Sequence, residues 1–373
     1  MSGRVDVAVV GGGLIGCALA AELARRGRSA VVLEKAEPGA EASGAAAGML
    51  TPQSDAAARD AFFDLALESH RLYPDWVRGL AEETGMDVGY RVWGLLRCRF
   101  AGAPGSGLAE AYDWQGASGL AVLDSLPGNL AYDVGGRLSP EVGDRVFLPD
   151  EAAVDPRTLT RAVWRAAVRQ GVEVRIGTRV LGFRIERGIC RGVETDAGAV
   201  EADATVDAAG AWAAFPGQLP LPLPIAPVRG QIVRLAPDEP LPTMVASDEV
   251  YLVPRADGTV LLGSTVERAG FHKAVTAEGV ERLLGAARRL VPDLASGRFV
   301  DAWSGLRPGT PDGWPVLGGS PIPGLFFAAG HYRNGVLLAP ATAKLVADAI
   351  CGTAACDLLA FSIERFSPAR RIA

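Results

Sequence analysis

The fold is decided by one stretch near the start of the chain, Asp6-Val-Ala-Val-Val-Gly-Gly-Gly-Leu-Ile-Gly16. Its apolar first half suits a short buried strand of a parallel sheet. Residues 14–26 follow with the spacing of a helix, and Gly27 stands where a left-handed residue commonly ends one. A second apolar run, Ala30-Val-Val-Leu-Glu34, predicts another strand. In this order the three elements form one β-α-β unit.

The glycines at the turn of this unit match the GxGxxG pattern of dinucleotide-binding proteins. Gly11 permits the tight turn, Gly13 lets the backbone approach a pyrophosphate, and Gly16 allows close packing of the helix on the strand. The pyrophosphate would lie at the helix N-terminus, on the backbone of Leu14 and Ile15, where free N–H groups and the helix dipole favour negative charge.

The residues that end the second strand add a ribose site. Glu34 follows Gly16 by 18 residues, and a carboxylate there accepts hydrogen bonds from ribose hydroxyls. It would repel a 2′-phosphate, which disfavours NADP. Lys35, the next residue, is expected at the same site. The strand, helix, glycines and acid agree on a dinucleotide, but they do not separate FAD from NAD.

Composition narrows the class of protein. The net charge is -6 and no basic run occurs, which argues against nucleic-acid binding. No run of 18 apolar residues predicts a membrane span, and glycines interrupt the apolar N-terminal stretch too often for a signal peptide. Five cysteines without a CxxC pair favour reduced thiols in the cytoplasm. Three scattered histidines make a metal site an unlikely feature, so none is expected.

The length of 373 residues suits two domains. Residues 86–145 and 223–299 have strand-like pieces broken by Gly and Pro, which predicts an antiparallel sheet. The nucleotide domain is then discontinuous and consists of residues 1–85, 146–222 and 300–373. The expected fold is α/β, a Rossmann-type domain with an inserted antiparallel-sheet domain.

Three segments outside the fingerprint resemble the glycine oxidase branch of the D-amino acid oxidase family. They are Ser43-Gly-Ala-Ala-Ala-Gly-Met-Leu50, Trp303-Ser-Gly-Leu-Arg-Pro-Gly-Thr310 and Ala328-Ala-Gly-His-Tyr-Arg-Asn-Gly-Val-Leu-Leu-Ala-Pro-Ala-Thr342. Arg59-Asp-Ala-Phe-Phe-Asp64 and Tyr251-Leu-Val-Pro-Arg255 match as well. The matches keep the family's order from residue 5 to about 345. The resemblance implies FAD, not NAD, and a D-amino acid oxidase-like fold.

The resemblance also implies which residues contact FAD. Small residues at 44–48 would let the backbone approach the flat flavin ring, and the last helix would point its N-terminus at it. The backbone of Val180 matches the adenine position. The other positions carried over are Ser43, Ala47, Gly48, Met49, Gly210, His331, Tyr332, Arg333, Asn334, Gly335, Val336 and Leu337. Residues 328–342 contain no cysteine, and Cys351 and Cys356 lie beyond, so FAD is expected to bind non-covalently.

A substrate carboxylate in an apolar cavity needs a bidentate cation, and arginine is the natural choice. Arg307 matches the family's carboxylate-binding arginine, and Tyr251 matches the tyrosine that donates to the same carboxylate. Arg333 matches a second arginine near the flavin, and Met49 a pocket-lining methionine. By residue type alone, Arg307 could equally form a structural salt bridge and Met49 could belong to the core.

Some positions depart from the family's pattern. Glu249 stands where glycine oxidases have a histidine, and Val266 stands where they have a methionine. The shorter Val266 would leave more room beside the substrate. Arg97 and Arg99 alternate on one strand and therefore share a face. They suit a solvated edge, or a site for a second carboxylate.

The implied reaction is oxidative deamination of glycine or an N-substituted glycine. Hydride passes from the α carbon to flavin N5, the imine hydrolyses to glyoxylate and an amine, and O2 reoxidises the flavin to give H2O2. No histidine or carboxylate base is implied. A D-amino acid oxidase, a dehydrogenase that passes electrons to a carrier, and a structural flavin-binding subunit stay open as alternatives. The expected partners are a small amino acid and O2, in a cytoplasmic homo-oligomer, a tetramer or dimer.

Overall fold

A computed structural model describes residues 4–54, 56–103, 107–213, 219, 221–353 and 358–367. The strands in these ranges are β1 Val5–Val10, β2 Ala30–Glu34, β3 Met49–Leu50, β4 Arg91–Val92, β5 Leu95–Phe100, β6 Val142–Leu148, β7 Ala152–Ala153, β8 Glu173–Ile176, β9 Val180–Glu186, β10 Ile189–Thr195, β11 Gly198–Asp207, β12 Ala226–Ala236, β13 Met244–Ala246, β14 Tyr251–Pro254, β15 Val260–Gly263, β16 Arg298–Gly309, β17 Val316–Gly319 and β18 Leu325–Ala329. The α-helices are α1 Leu14–Arg25, α2 Ala42–Ala45, α3 Ala61–Thr84, α4 Leu108–Ala117, α5 Gly128–Asp133, α6 Pro156–Arg169, α7 Ala277–Leu290 and α8 Ala339–Cys351. Short 3₁₀ helices span Gly210–Trp212, Pro292–Ser296 and three other segments, Gly135–Arg137, Leu359–Phe361 and Ile363–Phe366.

The first sheet carries the predicted β-α-β unit. Its strand order is β17-β18-β11-β1-β2-β8, with β1 parallel to both β2 and β11. The side chains of Val7 and Val9 belong to the core beneath α1, α6 and α8, whereas Ala8 and Val10 belong to the core on the other face. Both faces are covered, which explains the continuous apolar run at β1.

Helix boundaries follow local signals in the sequence. Asp60 accepts a hydrogen bond from Phe63 N–H at 2.7 Å and starts α3, and Gly85 ends it with φ 71°. Asp155 caps α6, where Pro156 fills the first position. The bounds of α3 and α6 therefore follow from residues that the sequence itself supplies at the helix ends.

The second sheet has the strand order β16-β12-β15-β14-β13-β5-β6. Five of its six strand pairs are antiparallel as expected, but β13 and β5 are parallel. The prediction of an antiparallel sheet is therefore wrong at this one pair of strands. β5 and β13 can pair in parallel because they come from separate chain segments and no hairpin joins them. Helix α7 packs on one face, with Leu283 and Leu290 in its core. The segment before β6 also forms α4 and α5, which the sequence did not indicate.

Two strands bear on the expected domain division. β6 crosses the boundary at 145/146, and nearly all of β16 falls within residues assigned to the nucleotide domain, yet both strands pair in the second sheet. The division at 145/146 and 299/300 stays a prediction. Over the ranges given above, no helix is both long enough and apolar enough to cross a membrane.

Candidate active site

A cavity of about 810 Å³ lies between the carboxyl ends of the parallel strands and one face of the second sheet. It is where a ligand of an open α/β sheet is expected. Almost every residue predicted for the site lines it. The exceptions are Gly16 and Leu337, which are buried behind its wall. The side chain of Leu337 packs in the core beneath α8, and its expected contact with the flavin stays a prediction.

The three fingerprint glycines have different surroundings. Gly11 has φ 104°, and a Cβ there would lie 2.6 Å from Ala208 O. A Cβ on Gly16 would collide with the carbonyl of Gly11. Gly13 opens to the cavity, where a Cβ would meet only Ser43 Oγ at 3.2 Å. Gly11 and Gly16 are therefore needed for the turn itself, and Gly13 is the position that a ligand can approach.

The carboxylate of Glu34 stabilises the glycine turn by accepting backbone hydrogen bonds. Its Oε2 accepts a hydrogen bond from Gly12 N–H at 2.7 Å, and its Oε1 accepts one from Ala36 N–H at 2.8 Å. Each oxygen keeps a second lone pair, so Glu34 can still accept from a ribose hydroxyl. Beside it, Lys35 Nζ lies 3.3 Å from the ring centre of Trp212, a cation–π contact that forms part of the wall.

Three side chains fix the loop Ser43–Gly48 by its carbonyl groups. Arg157 Nε donates to the carbonyl at position 44 at 2.9 Å, and Trp303 Nε1 donates to that at position 45 at 3.0 Å. Arg255 Nη2 donates to that at position 47 at 2.5 Å. We call this set the carbonyl clamp. It leaves the small side chains of the loop free to line the cavity, so a flat ring can approach the backbone there.

The segment before α8 forms the opposite wall. His331 is buried, and its Nε2 lies 3.0 Å from Thr342 Oγ1. Burial lowers the pKa of His331 to about 3, so the ring is neutral at physiological pH. Tyr332 has φ 47° and donates its N–H to Pro308 O at 3.1 Å. This bond ties the wall to the loop that carries Arg307.

Arg307 is the cation inside the cavity. Its guanidinium lies over Gly230, where a Cβ would collide with it. It donates to Thr265 O at 3.1 Å and to Ser264 Oγ at 2.5 Å. Burial lowers the pKa of Arg307 from 12.5, and the nearby Tyr251 opposes that shift. Within the described part of the chain no carboxylate pairs with this side chain, so a partly buried positive charge is left for a ligand.

The tyrosine beside it depends on a second glycine. The ring of Tyr251 lies over Gly263, directly opposite it on β15, where a Cβ would collide with the ring. The sequence did not single out Ser264, the residue that holds Arg307. The indication available in the sequence was that Ser264 directly follows Gly263, the last residue of a buried strand.

The remaining predicted residues lie around the end of the cavity near Arg307 and Tyr251. Val266 lines the cavity and is 46% exposed, so it forms part of the mouth. Glu249 is at the rim, with Oε1 accepting from Arg289 at 2.8 Å. Arg333 is exposed and stacks over the ring of Tyr332, with its guanidinium carbon 5.4 Å from the ring centre.

These surroundings fit FAD. The open Gly13, the N-terminus of α1, the lone pairs of Glu34 and the clamped loop lie along one continuous cavity. Among the residues described, no group of three His, Cys, Asp or Glu side chains could hold a metal ion.

The comparison with known proteins agrees with this fit. Residues 6–349 match the family described as DAO, FAD dependent oxidoreductase. The chain belongs to this family. Its resemblance to the glycine oxidase branch is confirmed as well, because curated relatives of that name cover almost the whole chain.

Two curated proteins are similar to this DAO-family chain over almost its whole length. A bifunctional protein ThiO/ThiG from Trichormus variabilis is 37% identical over 375 residues, which cover 97% of this chain and 55% of that protein. The chain thus spans about half the length of that relative. A glycine oxidase from Geobacillus kaustophilus is 38% identical over 371 residues, 98% of each chain.

Solved structures confirm the fold class. The crystal structure of glycine oxidase from Geobacillus kaustophilus superposes with a TM-score of 0.92 at 37% identity, covering 97% of this chain and 99% of that one. A glycine oxidase from Bacillus cereus gives a TM-score of 0.86 at 30% identity, covering 98% and 99%. The chain therefore has the mixed α/β fold that the sequence predicted.

Proposed function

We propose that this protein oxidises the α-carbon to nitrogen bond of glycine or an N-substituted glycine. One observation carries the proposal: a partly buried arginine, Arg307, faces the cavity without a carboxylate partner in the described residues. A buried charge without a counter-ion is costly, so the site is built for an anionic ligand. The α-carboxylate of an amino acid supplies that charge, and the phenol of Tyr251 can donate to it.

The side chains in the cavity bind and orient the substrate. Arg307 and Tyr251 fix the carboxylate, while Met49 and Val266 line the space around the rest of the molecule. Bound FAD would accept the hydride from the α carbon and pass its electrons to O2, which gives H2O2. The imine then hydrolyses in water to glyoxylate and an amine. His331 is buried and neutral, so it does not serve as the base.

The attachment of FAD follows from the cysteines. Cys351 ends α8, well beyond the cavity-lining residues of the preceding segment, and Cys356 lies outside the described residues. We therefore infer non-covalent FAD. Acid precipitation of the yellow protein should leave all the flavin in the supernatant, and flavin that stays with the polypeptide would contradict it.

The setting of the enzyme is also a proposal. Cys17, Cys98 and Cys190 are buried free thiols, which suits the reducing cytoplasm. We infer a cytoplasmic homo-oligomer, a dimer or tetramer, with the nucleotide and substrate domains divided as the sequence predicts. Light scattering of the FAD-loaded protein tests the oligomeric state.

The experiment that tests the activity is a substrate panel. Peroxide release is measured with glycine, sarcosine, larger N-alkylglycines and D-amino acids, in the wild type and in Val266→Met. Because Val266 lies at the cavity mouth, the longer methionine should shift the kcat/KM ratio toward glycine. Glu278→Gln, on the exposed first turn of α7, serves as the control.

The outcomes separate the alternatives. Turnover of D-amino acids but not glycine would favour a D-amino acid oxidase. Reduction of the flavin by glycine without release of peroxide would favour a dehydrogenase that uses another acceptor. If no amine reduces the flavin, the proposed function is wrong.

A further inference from the structure

The cavity continues past the carboxylate-binding arginine along one row of the second sheet. In this row Arg97 lies opposite Ala246, Ala246 opposite Tyr251, and Tyr251 opposite Gly263. Residues directly opposite one another on neighbouring strands point to the same face of a sheet. All four line the cavity, so the row forms its floor and Arg97 stands at the far end.

Between Arg97 and Tyr251 the floor of the cavity carries only a small side chain. Ala246 is the residue that separates Arg97 from Tyr251, and its side chain is a single methyl group. A larger residue there would fill the space over the strand. The row therefore leaves a passage from the phenol of Tyr251 to the guanidinium of Arg97.

The guanidinium of Arg97 is only partly satisfied. Nη1 donates to Ser247 O at 3.0 Å and Nη2 donates to Asp248 Oδ1 at 2.9 Å. Nε is buried and has no hydrogen-bond partner within the described ranges. The side chain of Asp248 is 67% exposed, so an ion pair with it contributes little and can open at small cost. Glu249, the next acid at the rim, is paired with Arg289.

We propose that the cavity takes an N-substituted glycine whose substituent ends in a second carboxylate, and that Arg97 binds this carboxylate. The proposal rests on the proposed function, because it places the α-carboxylate at Arg307 and Tyr251. It extends that function by naming the chemical class of the substituent. Once Asp248 turns away, Nη2 of Arg97 can donate to this carboxylate in place of Asp248 Oδ1.

The row also sets the length of the substituent. Two strand spacings of about 4.8 Å put the main chains of Arg97 and Tyr251 about 10 Å apart. With hydrogen bonds of about 3 Å at each end, the two carboxylates would lie roughly 6–9 Å apart. At about 1.2 Å for each bond of an extended chain, this corresponds to roughly two to four methylenes between the nitrogen and the second carboxylate.

The test compares each diacid with its neutral terminal amide, on the FAD-loaded enzyme. N-(ω-carboxyalkyl)glycines with one to five methylenes are assayed for flavin reduction in wild type, Arg97→Met, Arg97→Lys and Arg99→Met. We expect the wild type to prefer the best diacid over its amide in kcat/KM by about 30-fold or more, through KM. Arg97→Met should bring this ratio near one, and Arg97→Lys should restore part of it. Arg99 shares the face but does not line the cavity, so Arg99→Met should keep the wild-type ratio.

Titrating the oxidised enzyme with each ligand, and following the flavin absorption spectrum, gives the same comparison without turnover. A wild type that does not distinguish acid from amide overturns the inference. So does an Arg97→Met variant that loses both ligands equally, because that result means Arg97 only supports the loop. In either case turnover of glycine or sarcosine would leave the proposed function standing. If no amine is oxidised, the binding ratio still decides the role of Arg97.

Discussion

At the scale of single residues, two glycines make room for the proposed carboxylate site. Gly230 leaves room for the guanidinium of Arg307, and Gly263 leaves room for the ring of Tyr251. The two polar groups therefore lie over the backbone of neighbouring strands instead of beside it. Ser264 and the carbonyl of Thr265 satisfy part of the guanidinium. They carry no charge, so the positive charge of Arg307 stays available to the substrate.

Arg307→Ala should therefore impair substrate binding while the flavin stays bound. Truncating one partner of a buried charge pair costs about 2–5 kcal/mol. This corresponds to a fall in kcat/KM of roughly 30-fold to several thousandfold, measured by peroxide release. Arg307→Lys keeps the charge but loses the bidentate geometry, so its kcat/KM should lie between those of the wild type and Arg307→Ala. An effect below threefold, with unchanged flavin content, would remove Arg307 from the site.

At the scale of elements, the carbonyl clamp fixes the flavin loop from three directions. Its donors come from α6, from β16 and from the residue after β14. The sequence places the small residues of Ser43–Gly48 at the flavin but says nothing about what holds them. Positions this far apart in sequence meet only through the fold.

Trp303→Phe tests the clamp. Phenylalanine keeps most of the packing but cannot donate to the carbonyl of Ala45. Loss of one such bond costs about 0.5–1.5 kcal/mol, so the Kd for FAD should rise roughly two- to tenfold. Trp164→Phe is the matched control, because its indole N–H has no partner in the described residues. Equal Kd changes in both variants would mean that the clamp does not contribute to FAD binding.

Strand β11 carries a buried carboxyl group that links stability to pH. Burial raises the pKa of Asp207 to about 8 from 3.8. Between these values the folded state holds a proton that the unfolded state has released. The free energy of unfolding should therefore fall as pH rises from about 4 to 8, by up to about 1.4 kcal/mol per pH unit.

Asp207→Asn should flatten this dependence. Asparagine resembles the protonated acid and keeps the oxygen that accepts from Ala209 N–H at 3.1 Å. The variant should gain stability over the wild type at pH 8 and match it more closely at pH 5. Urea unfolding at the two values measures the difference. Parallel pH profiles for the two proteins would show that Asp207 ionises normally in the fold.

How far the sequence predicted each element depends on how local its signals were. The β-α-β unit was predicted almost to the residue, because the apolar runs, the glycines and Gly27 are contiguous in sequence. The parallel pairing of β5 with β13 was not, since the two strands are about 150 residues apart and their own patterns do not specify a partner. The sequence also did not show which way Leu337 faces: in the turn before α8 its side chain packs in the core.

At the scale of the whole molecule, the cavity joins the two sheets. The turn after β1 and the loop Ser43–Gly48 form one part of its wall, and the second sheet forms another. A ligand that fills it contacts both sheets at once. Bound FAD should therefore stabilise the entire fold by mass action, because it binds the folded state alone.

Gly13→Val and Gly16→Val should separate cofactor binding from folding. Gly13 has φ -73° and opens to the cavity, so a valine there is compatible with the turn but blocks the pyrophosphate. A side chain on Gly16 would collide with the carbonyl of Gly11, so Gly16→Val should fail to fold. Gly79→Val is the control, because nothing lies within 4 Å of a Cβ at that exposed helical position.

FAD at 100 times its Kd should stabilise the wild type by about 2.7 kcal/mol, which raises Tm by roughly 3 °C for a chain of this size. Gly79→Val should show the same rise. Gly13→Val should have nearly the Tm of the FAD-free wild type and no rise with FAD, since its fold is intact and its site is blocked. Thermal unfolding across a range of FAD concentrations measures all three. A Gly13→Val variant that retains the FAD-dependent rise would place the pyrophosphate elsewhere, because no other fingerprint position opens to the cavity without disturbing the turn.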